Sequence, residues 1–233
     1  MKLLTREILA VLYDADGTIL DNLPVLTEGV CRSILTFFGR NVSADAVLLH
    51  AKRSLPDYLY SLLPETCEDP ARLLQAVRTD FETYYAERSG AIGSFEGIPA
   101  MLDALAGNYR LGFVSSRQTS VRADVARLAL ADYFDVIVDR DETERHKPDP
   151  EPLLLACKRL NVLPEHAIYV GDAPADIHAA RAAGMLSIGV TYGGNNREEL
   201  LAARPDYLSD SPEAIATFLV PDGTLNQSKI KEN

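Results

Sequence analysis

At 233 residues, with 47% hydrophobic and 24% charged side chains, the chain has the material for a sizeable core and the composition of a globular protein. No apolar stretch reaches the length of a bilayer span, and Arg6 and Glu7 interrupt any apolar leader, so no membrane partner is expected. A net charge of -11 argues against nucleic acid, whose binding needs Lys and Arg to neutralise phosphates, and leaves open a small anion drawn in by a metal and a few local cations.

Ile8 to Tyr13 is a continuous apolar run, which predicts a strand buried on both faces of a parallel sheet. It ends in Asp14-Ala15-Asp16-Gly17-Thr18, where alternation lets Asp14 and Asp16 face one place and Gly17 permits a tight turn. Helical spacing follows at Leu26, Val30, Ile34 and Phe37, with Gly39 as a stop. Further helices are expected after Ser43, after Pro56, and from Ala71 to about Arg88. The stretch 22–89 therefore reads as an all-helical cap inserted into a core made of 1–21 and 90–220.

From Gly90 the rhythm alternates. Ile98, Leu102 and Leu105 mark a helix, and Tyr109 to Val114 a strand ending in Ser115-Ser116-Arg117. A helix through Val121, Val125 and Leu128 precedes a short strand at Val136 to Val138. The polar loop to Pro150 carries Lys147, and Pro152 opens a helix with Leu153, Cys157 and Leu160 on its face. Ala167 to Val170 is a strand ending in Gly171-Asp172, followed by a helix to Gly184 and a strand at Ser187 to Val190. Strands alternating with helices predict an α/β fold, a doubly wound Rossmann-like parallel sheet. The polar tail 221–233 is expected to be disordered. Cys31, Cys67 and Cys157 are odd in number and lack metal-ligand spacing, which fits a reducing, cytoplasmic compartment.

Parallel strands bring their carboxyl ends to one edge, so Asp14, Asp16, Ser115, Asp172, Asp176 and Lys147 should converge. Carboxylates there would repel by about 4 kcal/mol per pair at about 4 Å and an effective dielectric of about 20. Such a cluster demands a cation, and an all-oxygen set at strand ends suits Mg²⁺. Taken one at a time these residues say little: Ser115 can be a polar strand end, Lys147 a solvated lysine, and Asp176 a carboxylate favoured by a helix dipole. Their joint order carries the argument.

Asp14 to Thr18, Ser115, Lys147-Pro148-Asp149-Pro150 and Gly171 to Asp176 together resemble the four motifs of the haloacid dehalogenase superfamily, in order. Tyr169 to Gly193 looks like its phosphoglycolate phosphatase-like branch with a helical cap. The resemblance implies a phosphoric monoester hydrolase acting on a small phosphorylated metabolite, as a monomer or homodimer. Asp14 would be the nucleophile and Asp16 the general acid and then base. Asp14, the Asp16 backbone carbonyl and Asp172 would hold Mg²⁺, with Asp176 acting behind them on metal waters or Lys147. Ser115, Ser116 and Lys147, with backbone amides around Gly17 and Thr18, would clamp phosphoryl oxygens. Asp16 argues against a dehalogenase or phosphonatase and leaves phosphatase, pyrophosphatase or a phosphomutase of the β-phosphoglucomutase type. Arg53, with Lys52 beside it, lies where relatives carry a specificity loop and is expected to meet a second anionic group of the substrate. Arg117 stands where relatives often have Lys, and contact with substrate or a helix-capping role are both open. A phospho-accepting receiver module is the different-class reading, disfavoured because its acceptor lies mid-sheet and its Lys comes late.

Overall fold

A computed structural model describes residues 6–117, 121–194 and 197–220, with the side chains of 50–56 outside the description. The tail 221–233 also lies outside the described residues. The chain opens with β1 (Ala10–Tyr13) and the two-residue β2 (Leu20–Asp21), then leaves the sheet for α1 (Leu23–Phe38), α2 (Ala44–Ser61) and α3 (Pro70–Arg88). It returns through β3 (Gly93–Ser94), which pairs antiparallel with β2. The remaining order is α4 (Ile98–Ala106), β4 (Arg110–Val114), α5 (Arg122–Arg127), β5 (Val136–Val138), α6 (Glu151–Leu160), β6 (Ala167–Gly171), α7 (Pro174–Ala183), β7 (Leu186–Val190), α8 (Arg197–Ala203), β8 (Tyr207–Ser209) and α9 (Pro212–Leu219).

Six strands form one parallel sheet in the order β5-β4-β1-β6-β7-β8, an α/β Rossmann-like arrangement. Every residue of β1 is fully buried, as expected for a strand with neighbours on both edges and helices on both faces. Leu12 and Tyr169 share a core with Leu153, Cys157, Ala179 and Ala180 of α6 and α7. Alternation turns Tyr13 and Phe113 to the opposite face, where both rings meet Phe134 at centroid distances of 6.4 and 5.0 Å. β8, α8 and α9 have no counterpart in the sequence reading. β8 is three residues long, too short for a period to show, and exists because β7 offers it an edge.

The chain divides into two compact units, and the helical one is Asn22–Ile92. Its core joins Val30, Ile34, Val47 and Leu62, with Tyr58, Leu59 and Phe81 packed against them. The Ser33 hydroxyl donates to Asp80 at 2.7 Å and pins α1 to α3. One expectation needs correcting: no separate helix starts at Pro56, because α2 is continuous from Ala44 to Ser61. An interior proline costs about 3 kcal/mol and one backbone hydrogen bond. Here the turns on either side are anchored in the core of the helical unit through Val47, Tyr58 and Leu59, and Ser43 caps the start.

Candidate active site

The central strands β4, β1 and β6 end side by side, since Tyr13 pairs with Phe113 on one edge and Val170 on the other. Pairing continues one step further: the Asp14 amide donates to the Val170 carbonyl at 2.8 Å and the Ser115 amide to the Val138 carbonyl at 2.9 Å. Strands are spaced by about 4.8 Å, so side chains leaving these adjacent ends share a small volume. Beyond Asp16 the chain turns at Gly17, whose φ of 79° is left-handed. A Cβ there would lie 2.3 Å from Asp172 Oδ2, so the carboxylate of Asp172 occupies the space that any larger residue would need. The Gly17 amide donates to the Leu20 carbonyl at 3.0 Å and the Thr18 amide to Ala15 at 3.4 Å, so both expected donors are engaged inside the turn. The Thr18 and Ser116 hydroxyls are buried without a hydrogen-bond partner among the described residues.

Lys147 reaches this edge from the loop before α6. Its buried ammonium pairs with Asp14 Oδ1, donates to Asp176 Oδ1 at 2.7 Å and to the Tyr169 hydroxyl at 2.8 Å. Burial works against the charge on Lys147, but Asp14 and Asp176 outweigh it and hold the lysine firmly protonated. Burial pushes the Asp14 carboxyl well above the usual carboxylate range; Lys147 opposes that shift, and Asp176 and Asp172 add to it. Asp176 uses its second oxygen to accept from the Ala173 amide at 3.0 Å, capping α7. Pro174 is compatible with that start because a first-turn residue has no use for its amide hydrogen.

One carboxylate oxygen from each of Asp14, Asp172 and Asp176 lies within 4.8 Å of the others. Ionised together, the three carboxylates would exceed the one ammonium beside them by two negative charges in a buried place. Hard oxygens, excess negative charge and burial fit a divalent cation such as Mg²⁺. Asp172 also accepts from the Gly194 amide at 3.1 Å.

Asp16 stands apart from that cluster. Both its carboxylate oxygens meet Arg117, Oδ2 at 3.1 Å from Nε and Oδ1 at 2.5 Å from a terminal nitrogen. Arg117 also donates to Asp124 at 2.5 Å, and its backbone amide donates to Ser115 Oγ at 3.1 Å. The Arg117 guanidinium thus bridges Asp16 and Asp124, a contact that the sequence reading did not consider. Lys52 and Arg53 fall within α2, but their side chains lie outside the described residues.

Four participants escaped the sequence reading. Tyr169 lies within a predicted strand, and only the fold shows its hydroxyl on Lys147. Asp124 lies in the first turn of α5, and nothing in the sequence ties it to Arg117. Tyr192, whose hydroxyl donates to the Thr18 carbonyl at 3.1 Å, and Gly194 belong to the loop after β7, to which the sequence reading assigned no role. The Gly193-Gly194 pair carried the one usable signal, since paired glycines permit close backbone approach.

The model of the haloacid dehalogenase-like hydrolase family matches residues 11–190. A phosphoglycolate phosphatase of Salmonella typhimurium is 33% identical over 228 residues, covering 88% of this chain and 90% of that protein. A plasmid-borne phosphoglycolate phosphatase of Cupriavidus necator is 35% identical over 217 residues, covering 91% and 93%. A solved haloacid dehalogenase-like hydrolase from Streptococcus pneumoniae superposes with a TM-score of 0.74 at 21% identity, over 91% of this chain and 98% of that one.

Proposed function

The chain belongs to the haloacid dehalogenase-like hydrolases and is one of their phosphatases; on that premise we propose that it hydrolyses a small phosphomonoester of the phosphoglycolate type through an aspartyl-phosphate on Asp14, with Mg²⁺ bound. The observation that carries this reading is the buried meeting of Asp14, Lys147, Asp172 and Asp176 at the ends of the central strands. A carboxylate held against an ammonium, beside space for a divalent cation, can approach a phosphate dianion without prohibitive repulsion.

Asp14, Asp172 and the Asp16 backbone carbonyl would hold the ion, which when bound supplies positive charge against the phosphoryl oxygens. Lys147 supplies a second cation on the same side, fixed in place by Asp176 and Tyr169. Asp14 attacks phosphorus through a carboxylate oxygen as the bond to the ester oxygen breaks. Asp16 gives the leaving oxygen its proton, and later takes one from the water that opens the aspartyl-phosphate. The Ser115 and Ser116 hydroxyls, both buried at the end of β4, complete the phosphoryl cradle. A carboxylate on the far end of the substrate is the second anionic group assigned to Arg53, with Lys52 in support.

A panel of phosphorylated metabolites, phosphoglycolate among them, assayed with Mg²⁺ and with EDTA, tests the proposal. Turnover should need Mg²⁺ and vanish in Asp14→Asn. Steady-state hydrolysis above background in that variant would remove Asp14 as nucleophile. An unchanged kcat/KM on the best substrate in Arg53→Ala would remove Arg53 from substrate recognition.

A further inference from the structure

Asp16 needs a fixed direction to pass a proton to one particular oxygen, yet its side chain is a third exposed and lies outside the grouping of Asp14, Asp172 and Asp176. What fixes it comes from a separate part of the chain. The Arg117 guanidinium meets both Asp16 oxygens through Nε and one terminal nitrogen, the two-pronged geometry that sets the plane of a carboxylate as well as its position. Its other terminal nitrogen is on Asp124, and Asp124 also accepts from Arg127 at 3.2 Å. Charge therefore alternates along Asp16, Arg117, Asp124 and Arg127.

Burial separates this arrangement from an ordinary surface ion pair. The Arg117 side chain is 9% exposed and that of Asp124 10%. A guanidinium withdrawn from water to that degree is held in one place by its partners, because leaving them would strand an uncompensated charge. The far end is anchored too. Asp124 lies in α5, whose start is tied to the end of β5 by the Val121 amide donating to Asp139 at 3.1 Å. The near end is fixed by the Arg117 amide on Ser115 Oγ, so Arg117 leaves the sheet beside a serine of the proposed phosphoryl cradle.

We propose that Arg117, braced by Asp124, is a positioning residue for Asp16: it holds the carboxylate through both oxygens, and when Asp16 carries its proton it keeps one of these contacts while the protonated oxygen faces the leaving oxygen. The inference rests on the phosphatase reading, since it assigns Arg117 a task only if Asp16 transfers a proton. Arg117 acts through Asp16 and is distinct from the groups that hold phosphate.

The test is the dependence of kcat/KM on leaving group, measured with Mg²⁺ for phosphate monoesters running from dinitrophenyl through nitrophenyl and phenyl to alkyl. Poor leaving groups need the proton and good ones do not. General acids contribute on the order of 10²–10⁴-fold, so a mis-aimed Asp16 in Arg117→Met should lose about 10–100-fold on alkyl esters and little on the dinitrophenyl ester. Arg117→Lys keeps the charge without the fork and should recover part of the loss. Asp124→Asn leaves Arg117 in place and unties its far end; it should show the same steepened dependence to a smaller extent, and it carries the test if Arg117→Met fails to fold. A uniform fall across the series, or a slope equal to wild type in the folded variants, would overturn the proposal, because a general loss of structure or of phosphate binding affects every ester alike. Wild-type protein inert toward every ester would instead overturn the phosphatase reading.

Discussion

Replacing Lys147 by Met keeps the length and apolar stem of the side chain and removes only the ammonium. Its side chain is 5% exposed, and those of its partners Asp14 and Asp176 are 12% and 3% exposed. With Asp172 these carboxylates crowd within 4.8 Å. At an effective dielectric of about 20, each pair at that separation repels by roughly 3 kcal/mol once the cation is gone. Removing one partner of a buried ion pair costs about 3–5 kcal/mol, which agrees. For a chain of this size about 1 kcal/mol corresponds to roughly 2–4 °C, so Lys147→Met should unfold roughly 6–20 °C lower in EDTA. Part of the deficit should return with Mg²⁺, which replaces the missing charge. The deficit should also grow with pH. Asp14, its pKa raised by burial in the folded state, binds its proton more tightly folded than unfolded, so its contribution is greatest at low pH and declines as pH rises through the folded pKa. Losing Lys147, which opposes that shift, raises the folded pKa further and deepens the decline. Thermal and urea unfolding across pH, with EDTA or Mg²⁺, read all three effects. A change below about 1 kcal/mol in EDTA, with no pH dependence, would refute the view that this ammonium compensates a buried acidic cluster.

Mg²⁺ should stabilise the wild-type chain more at neutral than at acid pH, since protonated carboxylates do not bind it; at about 100-fold over its Kd the gain is about 2.7 kcal/mol, which calorimetry with and without EDTA would detect. Gly17→Ala forces a side chain onto a φ of 79° and against Asp172 Oδ2 at 2.3 Å, so metal affinity by titration calorimetry should fall about 10–100-fold, and unchanged affinity would separate Asp172 from the metal. Tyr169→Phe removes one partner of Lys147 worth about 1 kcal/mol, so kcat/KM should fall about fivefold with the unfolding temperature little altered. An equal or higher kcat/KM in that variant would show that the hydroxyl does not help hold the lysine.

Much of the core was readable in one dimension because its signals are local. A fully apolar run before two acids reads as a central strand, since only a strand buried on both faces needs no polar residue. The same logic located β4, β6 and β7 and placed Asp14, Ser115 and Asp172 at strand ends, where parallel pairing brings them to one edge. Asp176, four residues after Asp172, follows from the turn of α7 that Pro174 opens. Short elements were not readable. Two-residue strands such as β2 and β3 carry no period, and they exist because each finds the other across the 71 residues of the helical unit. Pro56 misled for the opposite reason: its local cost is real, but packing on either side outweighs it.

Residue types and their order along the chain thus determined the parallel sheet and let Asp14, Asp172 and Asp176 meet at one edge of it, whereas Asp16, expected beside them, pairs elsewhere. Only the tertiary structure decided which cation belongs to which acid: Lys147 to Asp14 and Asp176, Arg117 to Asp16 and Asp124. The physical reason is range. Hydrophobic period and strand-end position are set by neighbours a few residues away, whereas an ion pair between residues 16 and 117, or a tyrosine hydroxyl beneath a lysine, depends on side-chain directions that exist only after the sheet has closed.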